Sequence, residues 1–381
     1  MSSVDADGAV RMTVVVVMPL AEQRGGGELM LRHLVENGRG RDVDWIVVFL
    51  HDGPMVSEFR RLGLPVVTIE AGRMRQPHRA ITAIALIAGV ARRARATLIL
   101  GWMEKGHVYG GAAALLAGRR AIWYQLGTPT AGSWLARLAT ALPACGVLTV
   151  SRTGARAQAA IWPSRRQRIV YPGAELDRFD IGRLPPPAML RARFGLPEKG
   201  PLVGIVGRLQ RWKGIHVLID AMALLRRSHP NAHCVVVGGA HDLEAGYVGD
   251  VERQVATLGL EPHVTFTGFQ ANVHDWMQAM DIVVHASDRE PFGIVVIEAM
   301  ALGKPVIAGL EGGPCEIVTD GVDGLLVPYG DSAALAAALR RYLDDPEFAT
   351  GVGVAARRRA TDFSAPRYAD NVIAAIQQLS A

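Results

Sequence analysis

The stretch SDREPFGIVVIEAMALGKPVI, residues 287–307, carries two glutamates eight positions apart, Glu290 and Glu298, with Pro291-Phe292-Gly293 directly behind the first. An apolar run, 281–286, leads into it, and a helical pattern follows the turn. Carboxylates accept hydrogen bonds from hydroxyls, and a helix start offers free N–H groups to anions. A strand, an acidic turn and a helix start in that order suit a polyhydroxylated ligand that also bears a diphosphate. A loop glutamate followed by a helical one is common; the E-P-F-G-x4-E string is not. The spacing predicts Glu290 in the loop and Glu298 about two turns inside the next helix.

Outward from this segment the same rhythm of strand and helix fills the chain. Strands are expected at 13–18, 45–50, 66–69, 97–100, 121–124, 147–151 and 168–171, then at 202–206, 233–237, 264–266, 282–285, 305–307 and 325–327. Helices lie between most of them, including 215–228, 243–258, 293–302 and 333–343. This alternation predicts an α/β architecture with parallel sheets. A length of 381 residues, half of them hydrophobic, points to two domains with sizeable cores. The stretch rich in Pro, Gly and Arg around GRLPPPAM breaks the rhythm. The expected division is an N-terminal domain over 1–175, a linker over 176–200, a C-terminal domain over 201–363, and an amphipathic helix over about 364–381.

Cys145, Cys234 and Cys315 are far apart and read as isolated thiols, neither a disulfide framework nor a zinc site. The polar start MSSVDADGAVRM reads as no signal peptide, and no apolar helix is long enough to span a bilayer. A cytoplasmic protein is expected. The charge is uneven: residues 1–180 hold 23 Lys+Arg against 14 Asp+Glu, a balance of +9, and residues 181–381 hold 18 against 22, a balance of −4. Arg73, Arg75, Arg79, Arg92, Arg93 and Arg95 bracket one apolar helix. An anionic membrane surface, an acidic acceptor and a plain solvated helix face all remain open for them. No aromatic-and-basic module of the nucleic-acid kind is present, so a nucleic-acid partner is not expected.

Four other places could carry chemistry. In GRLQRWKG, Gly207 and Arg208 follow a strand and Lys213 precedes a helix, so two cations stand at the C-terminal edge of a parallel sheet, where a diphosphate binds. Gly25-Gly26-Gly27 follows the first strand; the spacing is not GxGxxG, and an ordinary strand-to-helix turn is the alternative. His107 follows a strand near the start of a helix and could face a ligand or cap the helix. Gln125 ends a strand, where a ligand contact and a structural hydrogen bond are equally natural. The Asp5/Asp7 and Asp42/Asp44 pairs read as incidental, and with no HExxH or CxxC a metal site is not expected.

Together, GRLQRWKG, TFTGF, the E-x7-E glutamates and EGGPCEIVTDGVDGLLVPYGD resemble the GT4 family of retaining glycosyltransferases (glycosyl transferases group 1). Outside 207–331 the match is looser, resting on GGGE and VYPGAELDRF. The resemblance implies the GT-B fold: two Rossmann-like domains facing across a cleft, with the last helix crossing back to the first. It implies a nucleotide diphosphate sugar as donor and no separate cofactor or metal. Arg208 and Lys213, beside Gly207, would hold the diphosphate. Glu290 with Pro291 and the amides of Phe292, Gly293 and Ile294 would hold the sugar, and Glu298 the ribose. Gly268 and Phe269 would bound the base, and Gly26 would approach phosphate and acceptor from the opposite wall, with His107 and Gln125 on the acceptor side. Relatives often carry histidine where Gln125 stands, in WYQLGTP; glutamine hydrogen-bonds a hydroxyl but does not titrate near neutrality.

The expected reaction is hexosyl transfer from the nucleotide sugar to a hydroxyl acceptor with retention of configuration. Arg208 and Lys213 would stabilise the leaving diphosphate, while Glu290 orients the sugar. The acceptor is expected to be a lipid-linked saccharide or polysaccharide precursor at the inner membrane face. Two other enzyme classes on this fold, a nucleotide-sugar epimerase and a phosphorylase, stay open, as does a non-catalytic homologue.

Overall fold

The computed structural model of the protein describes residues 11–23, 25–72, 75–241 and 244–381. Arg73, Asp5 and Asp7 lie outside them. The chain divides into two compact units, Met1–Gly173 with Ala365–Ala381, and Ala174–Ser364.

The first unit alternates β1 (Met12–Met18), α1 (Gly26–Asn37), β2 (Val43–Phe49), α2 (Pro54–Arg61), β3 (Val66–Thr68), α3 (Pro77–Arg93), β4 (Leu98–Trp102), α4 (Met103–Ala117), β5 (Arg120–Gln125), α5 (Trp134–Ala141), β6 (Gly146–Thr149), α6 (Arg152–Ala159) and β7 (Gln167–Ile169). All pairings are parallel, in the order β3-β2-β1-β4-β5-β6-β7. The central strand explains its own sequence: Val14 to Val17 are fully buried, because helices cover both faces of a parallel sheet and leave no side for alternation. Ser133 and Ser151 open α5 and α6 by accepting from Ala136 N and Gly154 N. Order reverses between β1 and β4, so the loops after those two strands flank the natural ligand crevice of this sheet.

The second unit opens with a 3-10 turn, Leu176–Phe179, and α7 (Pro187–Phe194). It continues through β8 (Leu202–Val206), α8 (Ile215–Leu225), β9 (His233–Val237), α9 (Gly246–Thr257), β10 (Val264–Phe266), α10 (Val273–Ala279), β11 (Ile282–His285), α11 (Ile294–Ala301), β12 (Val306–Gly309), α12 (Pro314–Ile317), β13 (Leu325–Val327), α13 (Ser332–Asp344) and α14 (Pro346–Ala360). Its parallel sheet runs β10-β9-β8-β11-β12-β13, with the reversal between β8 and β11. Residues from α8, α9, α13 and the strands form its core, among them Leu218, Met222, Tyr247, Val251 and Leu339. The last helix, α15 (Ala365–Ser380), belongs to the first unit. There Tyr368 is fully buried, Arg41 pairs with Asp370, and Leu379 packs so tightly on Gly146 that a Cβ there would meet its Cδ2 at 2.6 Å.

The linker expected over 176–200 is corrected: this segment is part of the second unit. Arg191, only 7% exposed on α7, donates from Nε to Ala279 O (3.0 Å), from Nη1 to Gly200 O (3.2 Å) and from Nη2 to Asp281 Oδ2 (2.7 Å). The same carboxylate oxygen accepts from Leu202 N at 2.7 Å, so one guanidinium ties α7 to the entrances of β8 and β11. Phe194 stacks on Trp276 of α10, with centroids 3.9 Å apart. A flexible connection makes no such buried bonds.

Candidate active site

In the second unit the loops after β8 and β11 meet where strand order reverses. Lys213, in a 3-10 turn before α8, donates from Nζ to Glu290 Oε2 at 2.5 Å. The two side chains are 16% and 13% exposed, well inside the range where such a bond is shielded from water. His285, the last residue of β11, places Nε2 3.3 Å from the same Oε2 and 3.4 Å from Ser287 Oγ. Burial alone would raise the Glu290 carboxyl; Lys213 and His285 overcome it and hold the group well below the usual carboxylate range. Lys213 also lies over the Trp212 ring, 4.0 Å from its centroid, and Asp288 N donates to Trp212 O at 2.7 Å, locking the two loops together.

The turn behind Glu290 is packed backbone on backbone. Gly313 N donates to Glu290 O at 2.7 Å. Gly312 sits at φ +86°, and a Cβ on it would meet Glu290 O at 2.4 Å; one on Gly313 would meet Phe292 Cα at 2.2 Å. Only glycine fits at either position. Gly293, at φ +104°, caps α11, and Ile294 is its first residue, so the free N–H groups of that end begin beside Glu290. Glu298 is the fifth residue of α11, a little over one turn in rather than two. Burial pushes its carboxyl up to about 7; Arg178, from the segment expected as linker, opposes this, and Glu175, just before that segment, adds to it. Glu298 keeps partial solvent access at its place on the helix.

Arg208 follows β8 and Gly207; among the described residues it makes no ion pair, so its guanidinium is uncommitted. Lys213, by contrast, is already paired with Glu290. Gly268 lies beyond β10 in a bridge with Gly238, and the Phe269 ring next to it is 79% exposed, a face on which a base can stack.

In the first unit Gly26 is the first residue of α1 and exposed. Trp102 Nε1 donates to Gly27 O at 2.9 Å, and Met103, at φ +61°, turns the chain sharply into α4. Gln125 is buried, with Nε2 donating to Glu104 Oε1 (3.0 Å) and Oε1 accepting from Gly127 N (3.3 Å). His107 is corrected outright. It lies in the body of α4 at 0% exposure, stacked on Trp123 with centroids 5.3 Å apart and planes within 3°. Neither ring nitrogen has a hydrogen-bond partner among the described residues. Burial, with Arg165 adding to it, lowers the ring to about 4, and the Leu142 backbone only partly offsets this.

Sequence reasoning missed His285 and Glu104. A histidine at the C-terminal end of a buried apolar strand was the available signal for the first; a carboxylate in the first turn of the helix after β4 was the signal for the second.

The model of the family described as glycosyl transferases group 1 matches residues 189–359. A Mycolicibacterium smegmatis protein, named GDP-mannose-dependent alpha-(1-6)-phosphatidylinositol monomannoside mannosyltransferase, is 35% identical over 292 residues, covering 73% of this chain and 69% of that one. The chain belongs to the group 1 glycosyl transferases. D-inositol 3-phosphate glycosyltransferase of Streptomyces avermitilis is 38% identical over 221 residues, 55% of this chain and 47% of its own. This group 1 chain thus spans about half the length of the D-inositol 3-phosphate glycosyltransferases it matches. Among solved structures, HepE of Anabaena in complex with UDP superimposes with a TM-score of 0.86 at 27% identity, covering 96% of this chain and 100% of that one. The same protein was solved with UDP-glucose. WaaG, a glycosyltransferase involved in lipopolysaccharide biosynthesis, shares the fold at 18% identity with a TM-score of 0.71, covering 95% of this chain and 99% of its own. The two parallel sheets are those of the GT-B architecture.

Proposed function

We propose that the protein transfers a sugar from a nucleotide diphosphate sugar to a hydroxyl acceptor, with the anomeric configuration retained and without a divalent ion. The observation that carries this reading is the Lys213–Glu290 pair at the strand-order reversal of the second unit, beside the uncommitted Arg208. Glu290 is an anion at neutral pH whose one oxygen is anchored, so it accepts sugar hydroxyls without rearranging. Arg208 and the amides at the start of α11 meet the diphosphate, with the Lys213 ammonium using its remaining protons there. Phe269 and Gly268 bound the base, and Glu298 accepts from the ribose. Glu290, anchored by Lys213 and given to orienting the sugar, is not the nucleophile in this reading. Front-face displacement follows, in which the leaving phosphate oxygen takes the acceptor proton as the new glycosidic bond forms.

The relatives' names supply the donor classes: a GDP-mannose-dependent enzyme, and a protein solved with UDP and UDP-glucose. A glycolipid acceptor at a membrane surface is favoured by the phosphatidylinositol monomannoside in one relative's name. It is favoured too by α3, where Arg92 and Arg93 close a helix exposing Ile81 and Leu86. Among the described residues no helix is long and apolar enough to cross a membrane, so contact would be peripheral.

The test is incubation with UDP-glucose and GDP-mannose, with and without lipid and saccharide acceptors, in EDTA and in manganese, reading product anomers by NMR. Acceptor-dependent transfer that survives EDTA and keeps the donor's configuration supports the reading. Conversion of the donor alone points to an epimerase, dependence on orthophosphate points to a phosphorylase, and activity restored only by manganese removes metal independence.

A further inference from the structure

We infer that His285 is a positioning residue that divides the two oxygens of Glu290 between protein and ligand. This rests on the donor-binding reading of Glu290. Both anchoring contacts fall on one atom: Lys213 Nζ and His285 Nε2 approach Oε2, at 2.5 and 3.3 Å. Oε1 takes no bond among the described residues and is not one of the buried orphan atoms, so it is the oxygen presented to a ligand hydroxyl. A carboxylate held by one partner swivels about its last side-chain bonds; two groups converging on one oxygen, one from the loop after β8 and one from the end of β11, fix its plane as well as its place.

The ring's own surroundings set which nitrogen carries the proton. His285 is 3% exposed, and its Nδ1 is buried with no partner among the described residues. A bare nitrogen at Nδ1 and N–H at Nε2 gives the proton to Glu290, whereas the opposite tautomer would aim a lone pair at the carboxylate. Ser287 Oγ, 3.4 Å away, shares the Nε2 side. β11 delivers this geometry directly. Val283, Val284 and His285 pair in register with Val306, Ile307 and Ala308 of β12, so the ring's position is set by the sheet rather than by the loop. His285 does not touch the nucleotide in this arrangement; it acts on the sugar through Glu290.

The experiment compares UDP with UDP-glucose, and GDP with GDP-mannose, by titration calorimetry on the wild type and on His285→Phe, His285→Gln and His285→Asn. His285→Phe is expected to weaken the nucleotide sugar ~10-fold or more while leaving the free diphosphate unchanged, the size of one lost bond to a charged group. His285→Gln, whose amide reaches the Nε2 position, is expected to recover most of the loss, and the shorter His285→Asn is not. In the Glu290→Ala background His285→Phe is expected to add nothing further. Equal weakening of diphosphate and nucleotide sugar, additive effects in the double variant, or wild-type affinity in His285→Phe would each overturn the inference. Should His285→Phe not fold, the Gln/Asn pair carries the same comparison. A wild type that binds neither diphosphate nor nucleotide sugar would instead remove the donor-binding reading, a result separable from failure of the histidine alone.

Discussion

Lys213 and Glu290 lie 77 positions apart in the chain and share a 2.5 Å bond, joining the loops that follow the two strands where the second sheet reverses order. Two charges so shielded are interdependent: removing one strands the other. Lys213→Ala is expected to cost about 3–5 kcal/mol of unfolding free energy by denaturant titration, and Lys213→Ala/Glu290→Ala less than the sum of the singles. Transfer should fall ~100-fold or more in each single variant. Near-normal turnover in both would remove the pair from catalysis.

Arg208 should behave differently. With no ion pair among the described residues, its loss leaves nothing stranded. Arg208→Ala is expected to keep the wild-type unfolding free energy within the ~0.5 kcal/mol typical of surface changes, while weakening both nucleoside diphosphate and nucleotide sugar. A destabilised variant with intact diphosphate affinity would contradict this assignment.

The Gly312 turn separates steric from conformational cost. Gly312→Ala must displace Glu290 O at 2.4 Å, whereas Gly330, at φ +80°, has nothing within 4 Å. Gly330→Ala should cost about 1–2 kcal/mol, the left-handed backbone alone. Gly312→Ala should cost more and depress transfer as well, since the displaced atom belongs to Glu290, the residue proposed to hold the sugar. Equal costs with full activity would show that the turn relaxes freely.

His107 makes stability fall in mild acid. Its folded pKa of about 4 lies below the unfolded value of 6.5, so the unfolded chain binds a proton that the folded chain does not. The stabilising contribution is complete above pH 6.5 and is lost as pH falls through the folded value, up to about 3 kcal/mol in all. His107→Phe, retaining the stack on Trp123, should flatten the melting-temperature profile over that window and leave transfer unaffected near neutrality.

The strands were legible because a parallel strand covered on both faces writes itself as a short apolar run; 202–206, 233–237, 264–266 and 282–285 coincide with β8, β9, β10 and β11. The E-x7-E segment was legible for the same reason, being a strand, a turn and a helix in immediate succession. Segment 176–200 was not, because its composition conceals Arg191, whose acceptors at 200, 279 and 281 come together only in the folded unit. His107 was misread because α4 is apolar around most of its circumference and marks no inner face. His285 was hidden inside the apolar run itself, since a ring that serves one neighbour looks in sequence like one more buried residue.

The passage of the chain out of the first unit after Gly173 and back into it at Ala365 bears on its synthesis. On the ribosome all 191 residues of the middle segment are made before α15, so the unit begun first is the one whose last element is made last. Until α15 arrives, the groove that Tyr368 and Leu379 will occupy stays wet, and the earlier-translated half must wait half-built for its closing stave.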